Sequence, residues 1–156
     1  MKTLMTHLLS MQHPMMNLVL LMAVMVLAHV SYGQKNDKQH KKAIETVIGQ
    51  YVSSGDANDT EKLGAVLHDA FRVTFNDTSD GSVKVVDRAT YLDMIGNKVW
   101  GGDERQVAIE LLDVNGGLTA EAKVTMKGSK ATFYNYLALV HQQGQWKVVQ
   151  DLVYVK

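Results

Sequence analysis

The chain contains no cysteine, which removes disulfides, thiolate nucleophiles and cysteine-type zinc sites together. It has no excess of either charge, with 16 basic residues against 16 acidic ones, so the electrostatic footprint of a nucleic-acid binder is missing. Its longest apolar run, Asn17–Val30, falls short of the roughly 20 residues that a membrane-spanning helix needs. Beyond the first 33 residues the histidines are His40, His68 and His141, too scattered for metal-ligand spacing. Neither a glycine-rich phosphate cradle, nor a Ser-His-Asp arrangement, nor an internal repeat is present. No metal and no cofactor is expected.

A further absence is local. From Met1 to Gly33 there is no aspartate or glutamate. Lys2, His7 and His13 precede the apolar run, and Ser31 and Gly33 place small residues at minus three and minus one to a cut before Gln34. That is the three-part pattern of a secretory signal. Residues 1–33 are therefore expected to be a signal peptide and 34–156 a single domain, exported to the periplasm or the exterior and without a membrane span once the signal is removed. Removal takes away Lys2 and leaves 15 basic against 16 acidic residues. An exported domain without disulfides must be held by its core.

Helical periodicity comes first along the domain. Ile44, Val47, Ile48, Tyr51 and Val52 follow the spacing of one helical face, and the turn-rich stretch Ser53–Asp59 interrupts it. Asn58 with Glu61 predicts the start of a second helix, with Leu63, Val66, Leu67 and Ala70 as its stripe. The segments "FRVTFND" and "SVKVV" read as a hairpin turning through "TSDG". Asp87 is placed to cap a third helix, "RATYLDMIG", that Gly96 ends. Four strands follow the loop of Trp100, Gly101 and Gly102.

Turn residues set the strand registers. Asn115-Gly116, taken as a two-residue turn, places Leu111 opposite Ala120. Gly128-Ser129 places Ala122 opposite Asn135, and Gln143-Gly144 places Leu139 opposite Val148 and Leu137 opposite Gln150. Strict alternation then puts Ile109, Leu111, Leu118, Ala120, Ala122, Val124, Asn135, Leu137, Trp146, Val148, Gln150, Leu152 and Tyr154 on one face. The other face is wet on the early strands and apolar on the late ones, where Tyr134, Tyr136, Val140, Val149 and Val153 form a patch that predicts a homodimer. Asn135 and Gln150 are the polar residues deepest in the inner face, and Ala120 and Ala122 beside them leave volume. That volume is filled either by a helix aromatic such as Tyr51 or Tyr91 or by a ligand.

The order helix, helix, hairpin, helix, four-strand meander ending in "GQWKVV" resembles the nuclear transport factor 2-like superfamily. Within it the chain is similar to the bacterial family called putative lumazine-binding. The residues that carry the likeness are Gln50–Phe71, Asn135–Val149 and Gly81, and it spans essentially Lys38 to Tyr154. It implies an α+β, cone-shaped fold: three N-terminal helices packed on a curved, mostly antiparallel sheet. Relatives of this type often have Asp-Tyr where this chain has Asn135-Tyr136, which takes proton transfer away from that position.

Three functions are left standing. The first is a noncatalytic exported domain that holds a small molecule through Asn135 and Gln150, with Tyr51, Tyr91 and Trp100 as walls and Trp100 a candidate lid. It follows from the lack of a carboxylate on the inner face as registered. The second is a small lyase or isomerase with His68 as its acid–base group. The third is a structural dimer with a filled cone. Trp146 is expected to be a hairpin core anchor and His141 a surface residue.

Overall fold

A computed structural model describes residues 37–76 and 81–156. The expected leader, the cut before Gln34 and most of the "TSDG" turn lie outside the described residues. The first helix, α1, occupies 37–56 and buries Ile44, Ile48, Tyr51 and Val52, the stripe that the spacing predicts. It runs through Ser53–Gly55 and breaks only at Ala57–Asn58. Helix α2 (Thr60–Val66) is capped by Asp59, whose carboxylate accepts from the Lys62 N–H at 3.0 Å. The expected cap, Asn58, instead adopts φ 53, a left-handed conformation that asparagine tolerates better than most residues.

Strand β1 (Leu67–Asn76) begins at once, so Leu67, His68 and Ala70 belong to a strand and not to the end of α2. Leu67 pairs with Val148 in the sheet; that pairing, reached through the tertiary fold, overrides a stripe that two more helical positions would have extended. Strand β2 (Val83–Asp87) pairs back antiparallel on β1. Helix α3 (Arg88–Gly96) opens with the Asp87 carboxylate accepting from the Thr90 N–H at 2.9 Å, as the capping signal predicts, and closes at Asn97; Gly96 is its last helical residue, and the left-handed position beyond the helix is taken by Lys98.

The meander consists of β3 (Gln106–Asn115), β4 (Thr119–Lys127), β5 (Thr132–Gln142) and β6 (Gln145–Val155). Among the described residues six strands stand in the order β2-β1-β6-β5-β4-β3, with β1–β6 paired parallel and the other neighbours antiparallel. The fold is the expected α+β type, with three helices among the described residues on one mostly antiparallel sheet. Its core, which includes Phe71, Leu63, Val124, Leu137 and Val148, is fully buried; each such side chain contributes about 1.5–3 kcal/mol of transfer free energy.

Besides an irregularity in β1 between Leu67 and Arg72, two β-bulges in the meander change which residues face that core. In β3, Ile109 pairs with Val124 but Leu111 pairs with Lys123, which leaves Glu110 as an extra residue. The following turn uses three residues, Gly116 to Leu118, between the Asn115–Thr119 pair. Leu112 and Val114 therefore turn in, while Leu111 and Leu118 are exposed. In β6, Leu139 pairs with Val148 as expected, but Ala138 pairs with Gln150, so Val149 is the extra residue. Beyond it every side chain changes sides: Asp151 and Val153 are buried, and Leu152 and Tyr154 are exposed. The β4–β5 pairing is two positions off the expected one, with Val124 opposite Asn135. An even shift preserves faces, and Asn135 remains inside.

Candidate functional site

The bulge at Val149 has placed a carboxylate in the cone. Asp151 is only 2% exposed. Its Oδ2 accepts the phenol O–H of Tyr51 at 2.7 Å, and the Asn135 Nδ2 donates to both oxygens at 2.8 and 2.9 Å. Tyr91 in turn donates to the Tyr51 oxygen at 3.2 Å. Each member arrives from a different element: Tyr51 from the buried stripe of α1, Tyr91 from α3, Asn135 from β5 and Asp151 from β6. On the sheet, Asn135 pairs with Val153 and Leu137 with Asp151, so Asn135 and Asp151 are diagonal neighbours on the inner face.

Burial raises the Asp151 carboxyl to about 6, opposed by the hydrogen bonds from Asn135 and Tyr51 and by the charge of Arg105. Burial also pushes the Tyr91 phenol up to about 12 and the Tyr51 phenol well above its ordinary range. Both phenols therefore stay protonated near neutrality, while Asp151 changes charge there. The Asn135 Oδ1 is buried and accepts no hydrogen bond. Its amide is oriented by the neighbouring carboxylate, because turning it over would set Oδ1 against an anionic oxygen.

These groups form the polar end of a cavity of about 280 Å³, at the lower limit of the roughly 300–1,000 Å³ usual for small-molecule pockets. Val73 and Phe75 of β1, Ile95 of α3, Met126, Phe133 and Val153 give it apolar walls, and Trp100, Asp103, Arg105 and Lys130 come from the loops at its mouth. Arg105 is anchored by Asp56, which accepts from its backbone N–H at 3.0 Å and from its Nε, and its guanidinium lies 5.5 Å from the Phe133 ring centre.

Trp100 is held as a wall and not as a loose lid. Its ring stacks on Phe75 at 6.2 Å, and its carbonyl oxygen accepts from the Asn58 Nδ2 at 2.8 Å, which also donates to Ile95 O at 2.8 Å. Gly101, at φ 83, packs so closely on α1 that a Cβ there would overlap the Gly55 carbonyl.

Of the residues singled out from the sequence, Tyr51, Tyr91, Trp100 and Asn135 meet in this cavity. Gln150 does not: the bulge turns it to solvent. Ala120 and Ala122 are buried, yet neither lines the cavity. His68 lies outside it on β1, where its Nδ1 accepts from the Ala70 N–H at 3.0 Å and its Nε2 faces Gln142 Oε1 at 3.1 Å. Both ring nitrogens are thus engaged away from the cone. Trp146 is a buried anchor as expected, donating to the His40 Nδ1 at 3.2 Å, and His141 is stacked on it at 5.0 Å. Asp151 is the residue that the sequence reading missed. Nothing in "VVQDLVYV" marks the bulge, since either alternation offers apolar residues to the core.

This architecture, helices packed on a six-stranded, mostly antiparallel sheet with a cavity lined from α1, α3 and the inner sheet face, is of the nuclear transport factor 2-like type. Similar folds are found in crystal structures of NTF2-like proteins of unknown function from Shewanella baltica OS155 (22% identity, TM-score 0.67, covering 76% of this chain and 94% of that one) and Silicibacter pomeroyi DSS-3 (17%, 0.69, 77% and 98%). A further likeness is to a putative scytalone dehydratase from Novosphingobium aromaticivorans (16%, 0.60, 79% and 88%). At these identities the likeness is one of fold. No curated protein matches the chain. The family model described as putative lumazine-binding matches residues 39–154, and the chain belongs to that family.

Proposed function

We propose that this domain is exported and binds a small, partly apolar molecule in the cone. The observation that carries the reading is the Tyr91–Tyr51–Asp151–Asn135 hydrogen-bond chain at the buried end of a cavity with apolar walls and charged groups at its mouth. Buried polar groups in such number are usually there to orient something, and a cavity of about 280 Å³ disfavours the filled-cone alternative. The acid-free leader supports export. The family's name does not choose the ligand. Mass spectrometry of molecules released from protein purified from its native host tests the reading, with Val153→Phe, which projects into the cavity, as control. A small molecule recovered from the parent and lost from the variant supports it; identical extracts from both count against it.

A second reading has its own support. The noncatalytic expectation followed from the lack of a carboxylate on the inner face, and Asp151 removes that premise. A carboxyl that titrates near 6, with a phenol donating to it, can accept and return a proton near neutrality. An isomerase or lyase would use Asp151 where the sequence pointed to His68. Turnover of the recovered molecule that disappears in Asp151→Asn and persists in His68→Ala would select this reading.

The domain is further proposed to work as a homodimer. Tyr134, Tyr136, Leu152 and Tyr154 leave large apolar areas open on the outer face of the late strands, with the Tyr134 and Tyr154 rings 5.8 Å apart.

A further inference from the structure

Apart from Asn135 Oδ1, a neutral acceptor left open, the hydrogen-bonding capacity left unused by the charged groups of the cavity wall lies with donors. Its carboxylates are well supplied with donors. Asp103 accepts from the Ser129 N–H at 2.9 Å, the Ser129 hydroxyl at 2.6 Å and the Lys130 N–H at 3.4 Å, and Asp151 accepts from Tyr51 and Asn135. The cationic donors are not matched in the same way. Arg105 commits Nε to Asp56 and Nη2 to the Val52 carbonyl at 3.4 Å, but its Nη1 finds only the Met126 sulfur at 4.0 Å. A thioether is a weak acceptor. With the side chain only 15% exposed, water cannot fully replace a partner for a group that carries five N–H donors. Lys130 stands at the exposed rim of the same cavity, and neither its ammonium nor the Trp100 indole N–H donates to another described residue.

We propose that the cavity selects a planar aromatic or heteroaromatic acid, whose anionic oxygen is received by Arg105 Nη1 while its ring lies against the aromatic side chains of the wall. This rests on the binding reading given above and adds to it the class of ligand. Three features agree. The guanidinium is held rigidly by Asp56 and by the Phe133 ring, so little freedom is lost when it takes a partner. Asp56 occupies the Nε edge and leaves Nη1 with only the Met126 sulfur as acceptor. The remaining wall of Phe75, Tyr91, Trp100 and Phe133 suits a flat ring, and Lys130 at the rim adds attraction for an anion on entry. A cationic ligand would meet carboxylates already supplied with donors and would lie beside Arg105.

The test uses 2-naphthoate, 2-naphthamide and 2-naphthylmethylammonium, which have similar shape and differ in charge, titrated calorimetrically into the purified protein at pH 7. Naphthoate is expected to bind more tightly than naphthamide by about tenfold or more, the factor that one charge-assisted hydrogen bond supplies. The ammonium compound should bind most weakly. In the Asp56→Asn/Arg105→Gln double variant, which removes the pair without stranding a charge, the preference for naphthoate should vanish while naphthamide binding persists. Equal or tighter binding of naphthamide to the unaltered protein, abolished by Val153→Phe, would overturn the anion assignment and leave the cavity reading intact. Failure of all three compounds to bind would tell against both.

Discussion

The phenol of Tyr51 donates to Asp151 across 100 positions of sequence, at 2.7 Å, and ties the first helix to the last strand through a group that is charged only part of the time. Tyr51→Phe keeps the ring and removes the donor. It should destabilise the domain by about 1–3 kcal/mol, the cost of leaving a buried polar group without a partner. It should also raise the Asp151 carboxyl further, because the lost hydrogen bond is one that lowers it. Urea unfolding measures the first effect, and carbon-13 chemical shifts of the aspartate carboxyls followed against pH measure the second.

Asp151 gives the fold a pH dependence of uncommon sign. Its carboxyl stands at about 6 in the folded chain against 3.8 ordinarily, so folding favours the protonated form. Its contribution is fully present below 3.8 and is lost as pH rises through about 6. The difference is at most about 3 kcal/mol by the usual conversion of 1.36 kcal/mol per pH unit. Stability referred to Asp151→Asn should therefore fall between pH 4 and pH 7. A difference that is flat over that interval would show that the carboxyl titrates at its ordinary position.

The Trp100 wall depends on Asn58, whose side chain bridges Ile95 O and Trp100 O from a backbone at φ 53. Asn58→Gly permits that backbone and deletes the amide, so it isolates the bridge. The expected cost is about 1–3 kcal/mol, with greater acrylamide quenching of Trp100 in a Trp146→Phe background. Gly101→Ala should be at least as harmful, since the overlap with Gly55 is backbone against side chain and cannot be relieved by a rotamer.

For the outer sheet face, sedimentation at micromolar concentration should show a dimer, and Tyr136→Lys should shift it toward monomer. Tyr136 is 56% exposed in the single chain, so the substitution removes little buried surface from the fold. A monomer in the parent would refute assembly through this face.

Element order, the helix cap at Asp87 and the inward position of Asn135 were legible because each follows from local chemistry: capping, periodicity and turn residues. The α2–β1 boundary was not, since Leu67 and Ala70 satisfy a helical stripe and only the pairing of Leu67 with Val148 decides otherwise. Asp151 was hidden for a different reason. A bulge needs one extra residue and no special residue type, and Val148-Val149 offers none. Gln150 and Asp151 were both available to the cone, and strict alternation selects the wrong one. Both departures were settled by long-range pairing.

The place of β6 in the sheet, between β1 and β5, governs the order of assembly. The α1-to-α3 half and the meander meet along one parallel seam, and Asp151 sits on it opposite Val73. A chain still emerging from the ribosome can pair β1 with β2, but it cannot close the seam until β6, its last strand, is free. The ligand chamber is thus the latest part of the molecule to exist, and such distant pairing makes closure slow.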